Sequence, residues 1–134
     1  MEYPMRVVVR LALTLMLLTF GAIAAQAQYV EAYKIDTLSK DLPEAEVLTV
    51  LSNHLGVPTE TLKQQKSATG LPIGQLYIAH ALAKASKSNV QELFAENKTR
   101  PWGEIAKMKN VKMKQLDGDL EKLQKDLKGI QKGK

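Results

Sequence analysis

From Asp41 onward, apolar positions along the chain recur at helical spacing, the i, i+3, i+4 period that lines one helix face. Asp41 is read as an N-cap, with Pro43 in the first turn and Glu44 and Glu46 at the positive helix end. Val47, Leu48, Leu51 and Leu55 form the apolar stripe, and Gly56 ends the helix because it is free to take positive φ. A short helix from Pro58 to about Lys66, anchored by Leu62, leads into a loop over Ser67–Gly70. Pro72 opens the most apolar helix, from Ile73 to Ala85. A helix so apolar around its circumference belongs at the centre of a bundle. Its less apolar side carries His80, Lys84 and Lys87 together with Ile73 and Tyr77. Ser88 and Gln91 spell a capping box for a helix through Val90, Leu93 and Phe94 to about Asn97. Thr99 and Pro101 open the next, Trp102–Met108, and Asn110 makes the turn after it.

The last helix carries Met113, Leu116, Leu120, Leu123, Leu127 and Ile130, the alternating three-and-four spacing of a heptad seam. Gly118 weakens it by about 1 kcal/mol relative to Ala, Gly129 marks its end, and Glu121 with Lys125 supports it. The stretch is short for a coiled coil. It is expected to dock as far as about Leu120 and then to project as a basic amphipathic arm, residues 117–134. At the other end, Tyr29, Val30, Tyr33, Ile35 and Leu38 fit neither a helical nor a strand period, so residues 28–40 read as a partly ordered lead-in. The fold class is all-α: a small bundle of short helices over residues 41–116 with a longer C-terminal helix.

Two segments repeat. Pro72-Ile-Gly-Gln-Leu76 matches Pro101-Trp-Gly-Glu-Ile105, and each follows a short helix with a Val-to-Leu pair, Val57 with Leu62 and Val90 with Leu93. Val111 to Leu116 begins a third unit. Pro pre-sets φ at a helix start, and Gly lets another helix approach the backbone closely. Short helices of this kind need a similar neighbour to bury their apolar faces.

Ile105 to Leu116 and Leu51 to Leu62 resemble the I-A-x-x-x-G-V-x-x-x-x-L pattern of helix-turn-helix domains, with Asn110 where Gly is usual in the first of them. A DNA reader needs Arg, Asn or Gln early on its second helix. Pro58-Thr-Glu60 offers an acid there, and only Lys112 and Lys114 suit phosphates. Residues 45–116 also resemble a group of small exported bacterial helical proteins of unknown function with tandem helix-turn-helix-like units. The matching motifs are Thr69-Gly-Leu-Pro-Ile-Gly74, Ile78-Ala79, Leu82-Ala83 and Trp102-Gly-Glu-Ile-Ala106. That resemblance implies a compact helical fold in the cell envelope and no particular activity.

Residues 1–27 give the address. Arg6 and Arg10 precede an apolar run from Leu11 to Ala25, and Ala25-Gln-Ala27 supplies the small residues of a leader-peptidase site. These are the three parts of a cleaved secretory signal. The alternative is a retained anchor, but the fifteen-residue run falls short of the roughly 20 apolar residues of a spanning helix. The expected location is periplasmic or secreted, with no membrane span after cleavage.

Charge then divides what remains. Residues 28–97 hold six basic and eight acidic groups, and residues 98–134 hold eleven and five. A basic end suggests an anionic surface, although Lys alternates with Asp and Glu after Asp117. With no cysteine in the chain, disulfides, thiol catalysis and Cys-zinc sites are excluded. His54 sits in a last helical turn, where a cation suits the dipole. His80 reads as a boundary residue with no acid in register. No phosphate loop, nucleophile elbow or paired carboxylates stand out.

The sequence therefore predicts an exported, non-enzymatic helical module, without cofactor or metal, that binds an envelope protein or an anionic surface. Trp102, the lone Trp, is a core plug or a partner anchor. Leu123, Leu127, Lys125 and Lys128 are the other candidate partner-binding residues, with dimerisation through the C-terminal helix left open. A nucleic-acid-binding module and a hydrolase with an unrecognised site are the alternatives.

Overall fold

The computed structural model describes residues 30–132. The expected leader and its cleavage residues, Ala25 and Ala27, lie outside the described residues. Seven α-helices follow one another: α1 Val30–Lys40, α2 Glu44–Leu55, α3 Thr59–Thr69, α4 Ile73–Ser86, α5 Val90–Asn97, α6 Trp102–Met108 and α7 Asp117–Lys132. A 3₁₀ turn over Met113–Leu116 leads into α7, and no strand occurs among the described residues. None of these helices is long and apolar enough to cross a membrane.

The apolar helix α4 takes the central place its composition demands: Leu76, Ile78, Ala79 and Leu82 are fully buried. α1 and α2 pack on it from one end of the chain, α5 and α6 from the other. Four of these helices begin after a proline, at Pro43, Pro58, Pro72 and Pro101, each at the N-cap in extended conformation rather than inside the first turn. Proline fixes φ and bars the α conformation at the residue before it, so it starts a helix without capping it. Left-handed residues close three helices: Gly56, Gly70 and, unforeseen, Lys87. Asn110 takes positive φ in the turn after α6, as its side chain permits. α3 runs on through Thr69, so Ser67–Thr69 is helix rather than loop. The cap of α5 is Asn89, whose side chain accepts a hydrogen bond from the Gln91 backbone N–H at 2.8 Å, in place of Ser88.

The repeat holds at the level of burial. Ile73 and Trp102 are equally buried, Leu76 and Ile105 are both inaccessible, and each half-exposed Val57, Val90 and Val111 leads to a buried Leu62, Leu93 or Leu116.

The two ends of the chain differ from expectation. Residues 30–40 are not a loose lead-in but a helix, α1, packed on both α4 and α7. Its period is obscured because Asp36 occupies a buried position while Val30 and Tyr33, 54% and 70% exposed, face outward. Nor does α7 project as an arm: Leu123 and Leu127 are 0% exposed, and Ile130 still packs against the core. The partner that the heptad seam needs is α1, with α2 beside it. Residues 28–40, 41–116 and 117–134 are therefore not separate units across the described residues; their buried side chains belong to one core. His54 at the end of α2 reinforces the seam, its Nε2 lying 2.7 Å from Asp126 Oδ2 on α7.

Candidate functional site

α4 begins with no capping side chain of its own and no acid in its first turn. Asp36 of α1 supplies both. Its Oδ1 accepts a hydrogen bond from the Gly74 backbone N–H at 2.6 Å, so a carboxylate from another helix stabilises the positive end of α4. Only glycine allows this. A Cβ at Gly74 would strike the backbone carbonyl of Ala32 and stand 2.7 Å from Asp36 Oδ1. Burial pushes the Asp36 carboxyl up to about 6, against the opposing pull of the Gly74 N–H and the Lys40 charge.

Beside this pairing lies a cavity of about 440 Å³, within the size range of ligand sites. Ala32, Asp36 and Lys40 of α1 form one wall, and Gln75 and Ile78 of α4 lie against Trp102 of α6. The turn from Asn97 to Pro101 closes the other side. Trp102 is 4% exposed, and its Nε1–H donates to Gln75 Oε1 at 3.3 Å, which fixes the indole plane. Lys40, Lys98, Thr99, Arg100 and Tyr33 are exposed at the rim. A second hollow of about 410 Å³ shares Asp36, Lys40 and Pro72, and the Lys66–Glu44 ion pair (3.4 Å) lies along it.

The rim is cationic and unpaired. Ion pairs among the described residues use Lys34, His54, Lys66 and Lys109 as their cations; Lys40, Lys98 and Arg100 take part in none. Arg100 Nη1 instead donates to the Met108 sulfur at 3.0 Å, a weak acceptor. Residues 98–114 carry six basic groups and one acid, whereas residues 115–132 carry four of each. The basic excess of the C-terminal third thus belongs to the α5–α6 turn and the segment after α6, not to α7.

This corrects the expected partner surface. Trp102 is core, as its aliphatic counterpart Ile73 implies, and meets the outside only as a cavity wall. Leu123 and Leu127 are buried against the protein's own helices and present no docking face for a partner or a second copy. Lys125 and Lys128 are exposed on α7, but neither lines the cavity. Asp36 and Lys40 escape sequence reasoning because the segment holding them shows no period. The one signal for them is an acid spaced among Ala32, Ile35 and Leu38.

Among the described residues, no group of three His, Cys, Asp or Glu could hold a metal ion. A perturbed carboxylate in a cleft is a candidate acid or base; among the described residues Asp36 is the carboxylate lining the cleft beside Trp102, and Glu44 lines the second hollow that Asp36 shares. His80 is half-buried, with Nε2 2.6 Å from Gln65 Oε1 and its pKa lowered by burial, as suits a boundary histidine. Of the two helix-turn-helix-like stretches, the second continues after Asn110 into the four-residue 3₁₀ turn, followed by Asp117 and Asp119 at the start of α7. No protein-family model, curated protein or solved structure matches the chain.

Proposed function

We propose that the protein is an exported, non-enzymatic helical module that binds an anionic partner in the cell envelope, through the cleft beside Trp102 rather than through its C-terminal helix. The observation that carries this reading is the set of cations at the rim around a concave, largely apolar wall: Lys98 and Arg100 join no ion pair among the described residues, and Lys40 feels Asp36 without closing an ion pair with it. Charges left unpaired at a rim steer an oppositely charged partner and set its on-rate. An apolar wall with few polar groups supplies the contact area once the partner arrives.

Immobilised protein exposed to envelope extract tests this, with a Lys98→Glu, Arg100→Glu variant alongside. The wild type should retain a defined partner that elevated salt releases, because rim charges are screened, and the variant should lose it. Identical retention by both proteins would remove the cleft from the reading. Export rests on residues 1–27: mass spectrometry of the protein from its native host should find an N-terminus at Gln28. A dominant full-length species in the membrane fraction would favour a retained anchor.

A further inference from the structure

The shape of the cleft selects among anionic partners. We propose that it takes an acidic, extended protein segment, with an apolar side chain of that segment seated against Trp102 and its carboxylates on Lys40, Lys98 and Arg100. This rests on the reading of the protein as a binder of anionic partners and narrows it to one class.

Three features carry the choice. First, the cations surround a hollow of about 440 Å³ instead of projecting from a convex face. A bilayer is met by a face that lies on it, whereas a single side chain can enter a recess of this size. Second, the lining of the recess is largely apolar, with Trp102 packed into the core behind it and its Nε1–H donated to Gln75 Oε1. An apolar side chain seated in a recess with a polar rim is an arrangement in which a few contacts dominate binding. Third, the lining also includes the short polar side chains of Thr37, Asn97 and Thr99, and the two threonine hydroxyls donate to the Tyr33 and Glu96 carbonyls, which leaves their oxygens as acceptors. The Asn97 Nδ2 already donates to the Arg100 carbonyl at 3.0 Å, which leaves its side-chain oxygen available as an acceptor. Such acceptors suit the regularly spaced N–H groups of an extended main chain, which a lipid headgroup layer does not offer. Asp36 also lines the recess, with its Oδ1 engaged by the Gly74 N–H at the positive end of α4.

The lone Trp makes the test direct, since any occupant of the recess lies against the only indole in the chain. The probe is a Trp-free synthetic pentapeptide of two aspartates, a central leucine and two glutamates, blocked at both ends. A lysine-for-acid version and vesicles of phosphatidylglycerol and phosphatidylcholine are the comparison arms. Titration of the protein with the acidic peptide should change Trp102 emission saturably, with affinity falling as salt rises. Lys98→Glu combined with Arg100→Glu should weaken that binding by about tenfold or more. Lys122→Glu combined with Lys128→Glu, on the exposed side of α7, should leave it within about twofold. Vesicles that bind and move the emission while the peptide does not would overturn the peptide proposal and leave the anionic-partner reading standing. No response to peptide or vesicles would overturn both, and equal weakening by the two double variants would reduce the effect to bulk charge.

Discussion

α1 packs along α7, and Ile35 on one helix and Leu120, Leu123 and Leu127 on the other are all buried in the shared core. Around the cleft beside Trp102 the protein instead leaves Lys40, Lys98 and Arg100 exposed and outside every ion pair among the described residues. The first region satisfies itself; the second is the surface that the proposed function assigns to an anionic partner. In a protein of this size the apolar seam governs whether the chain folds, and under the proposed function the charged rim governs what it meets. Substitutions should therefore divide cleanly: those in the seam change stability, and those at the rim change binding with the fold intact.

The largest effect belongs to Leu123→Asp. Leu123 is fully buried among the helices that close the bundle, so the variant forfeits apolar burial and places an unpaired carboxylate inside. The expected loss is about 4 kcal/mol or more, comparable with the whole stability of a small domain. Far-UV circular dichroism with a urea titration should show a largely unfolded protein at room temperature. A cooperative transition near the wild-type midpoint would mean that α7 is an appendage after all.

Next in size is Gly74→Val, which breaks the approach of α1 to the start of α4. The added side chain meets the Ala32 backbone, which cannot swing away as a side-chain tip can. Destabilisation of about 1–3 kcal/mol is expected, with Gly74→Ala nearer the lower bound. Gly118→Ala, where the new Cβ meets open space in α7, should do the reverse and stabilise by up to about 1 kcal/mol. Equal urea midpoints for Gly74→Val and wild type would remove the close approach from the account.

These cases also show what is legible in the sequence. Helix content, the central place of α4, the glycine ends at Gly56 and Gly70 and the Pro-x-Gly repeat all follow from local chemistry, which a single stretch of chain displays. The pairing of α1 with α7 does not, because it joins segments some eighty residues apart and each looks incomplete without the other. By sequence alone α7 lacks a partner and α1 lacks a period, for one reason: the residue that breaks the apolar spacing of α1, Asp36, serves the first turn of α4 and not its own helix. The cleft is hidden for the same reason. Trp102 stands out as the lone Trp, but its wall is completed by α1, and the charge excess at residues 98–114 is averaged into the whole C-terminal third.

Asp36 gives a test of intermediate size that bears on both regions. Its carboxyl titrates at about 6 in the folded protein against 3.8 for the free group, so the folded state holds this proton more tightly than the unfolded chain. The Asp36 contribution is accordingly most favourable below about pH 4 and declines as pH rises towards and past about 6. Asp36→Asn keeps an oxygen to accept the Gly74 N–H and removes the charge. It should stabilise the protein by about 1 kcal/mol at pH 8, allowing for solvent screening, and by little at pH 4. Asp36→Ala leaves the Gly74 N–H without its partner and should destabilise at both pH values by about 1 kcal/mol. Urea midpoints for the three proteins at pH 4 and pH 8 decide the matter. A pH-independent effect of Asp36→Asn would show that the carboxylate carries no burial penalty.

The smallest expected effect on stability is also the one that most sharpens the contrast between seam and rim. Lys98→Glu with Arg100→Glu alters two exposed side chains that join no ion pair among the described residues. It removes the hydrogen bond from Arg100 to the Met108 sulfur, a weak interaction made at the surface. The two introduced carboxylates would share the rim with Lys40, so the reversed charges are not isolated. The change in unfolding free energy should stay within about 0.5 kcal/mol, as for surface substitutions away from caps and cores, while binding of an acidic ligand falls. A thermal melt beside the Trp102 titration measures both quantities on one sample. If the melt drops by as much as it does for Gly74→Val, the α5–α6 turn is held together by its cations, and the rim is part of the scaffold instead of a surface kept for a partner.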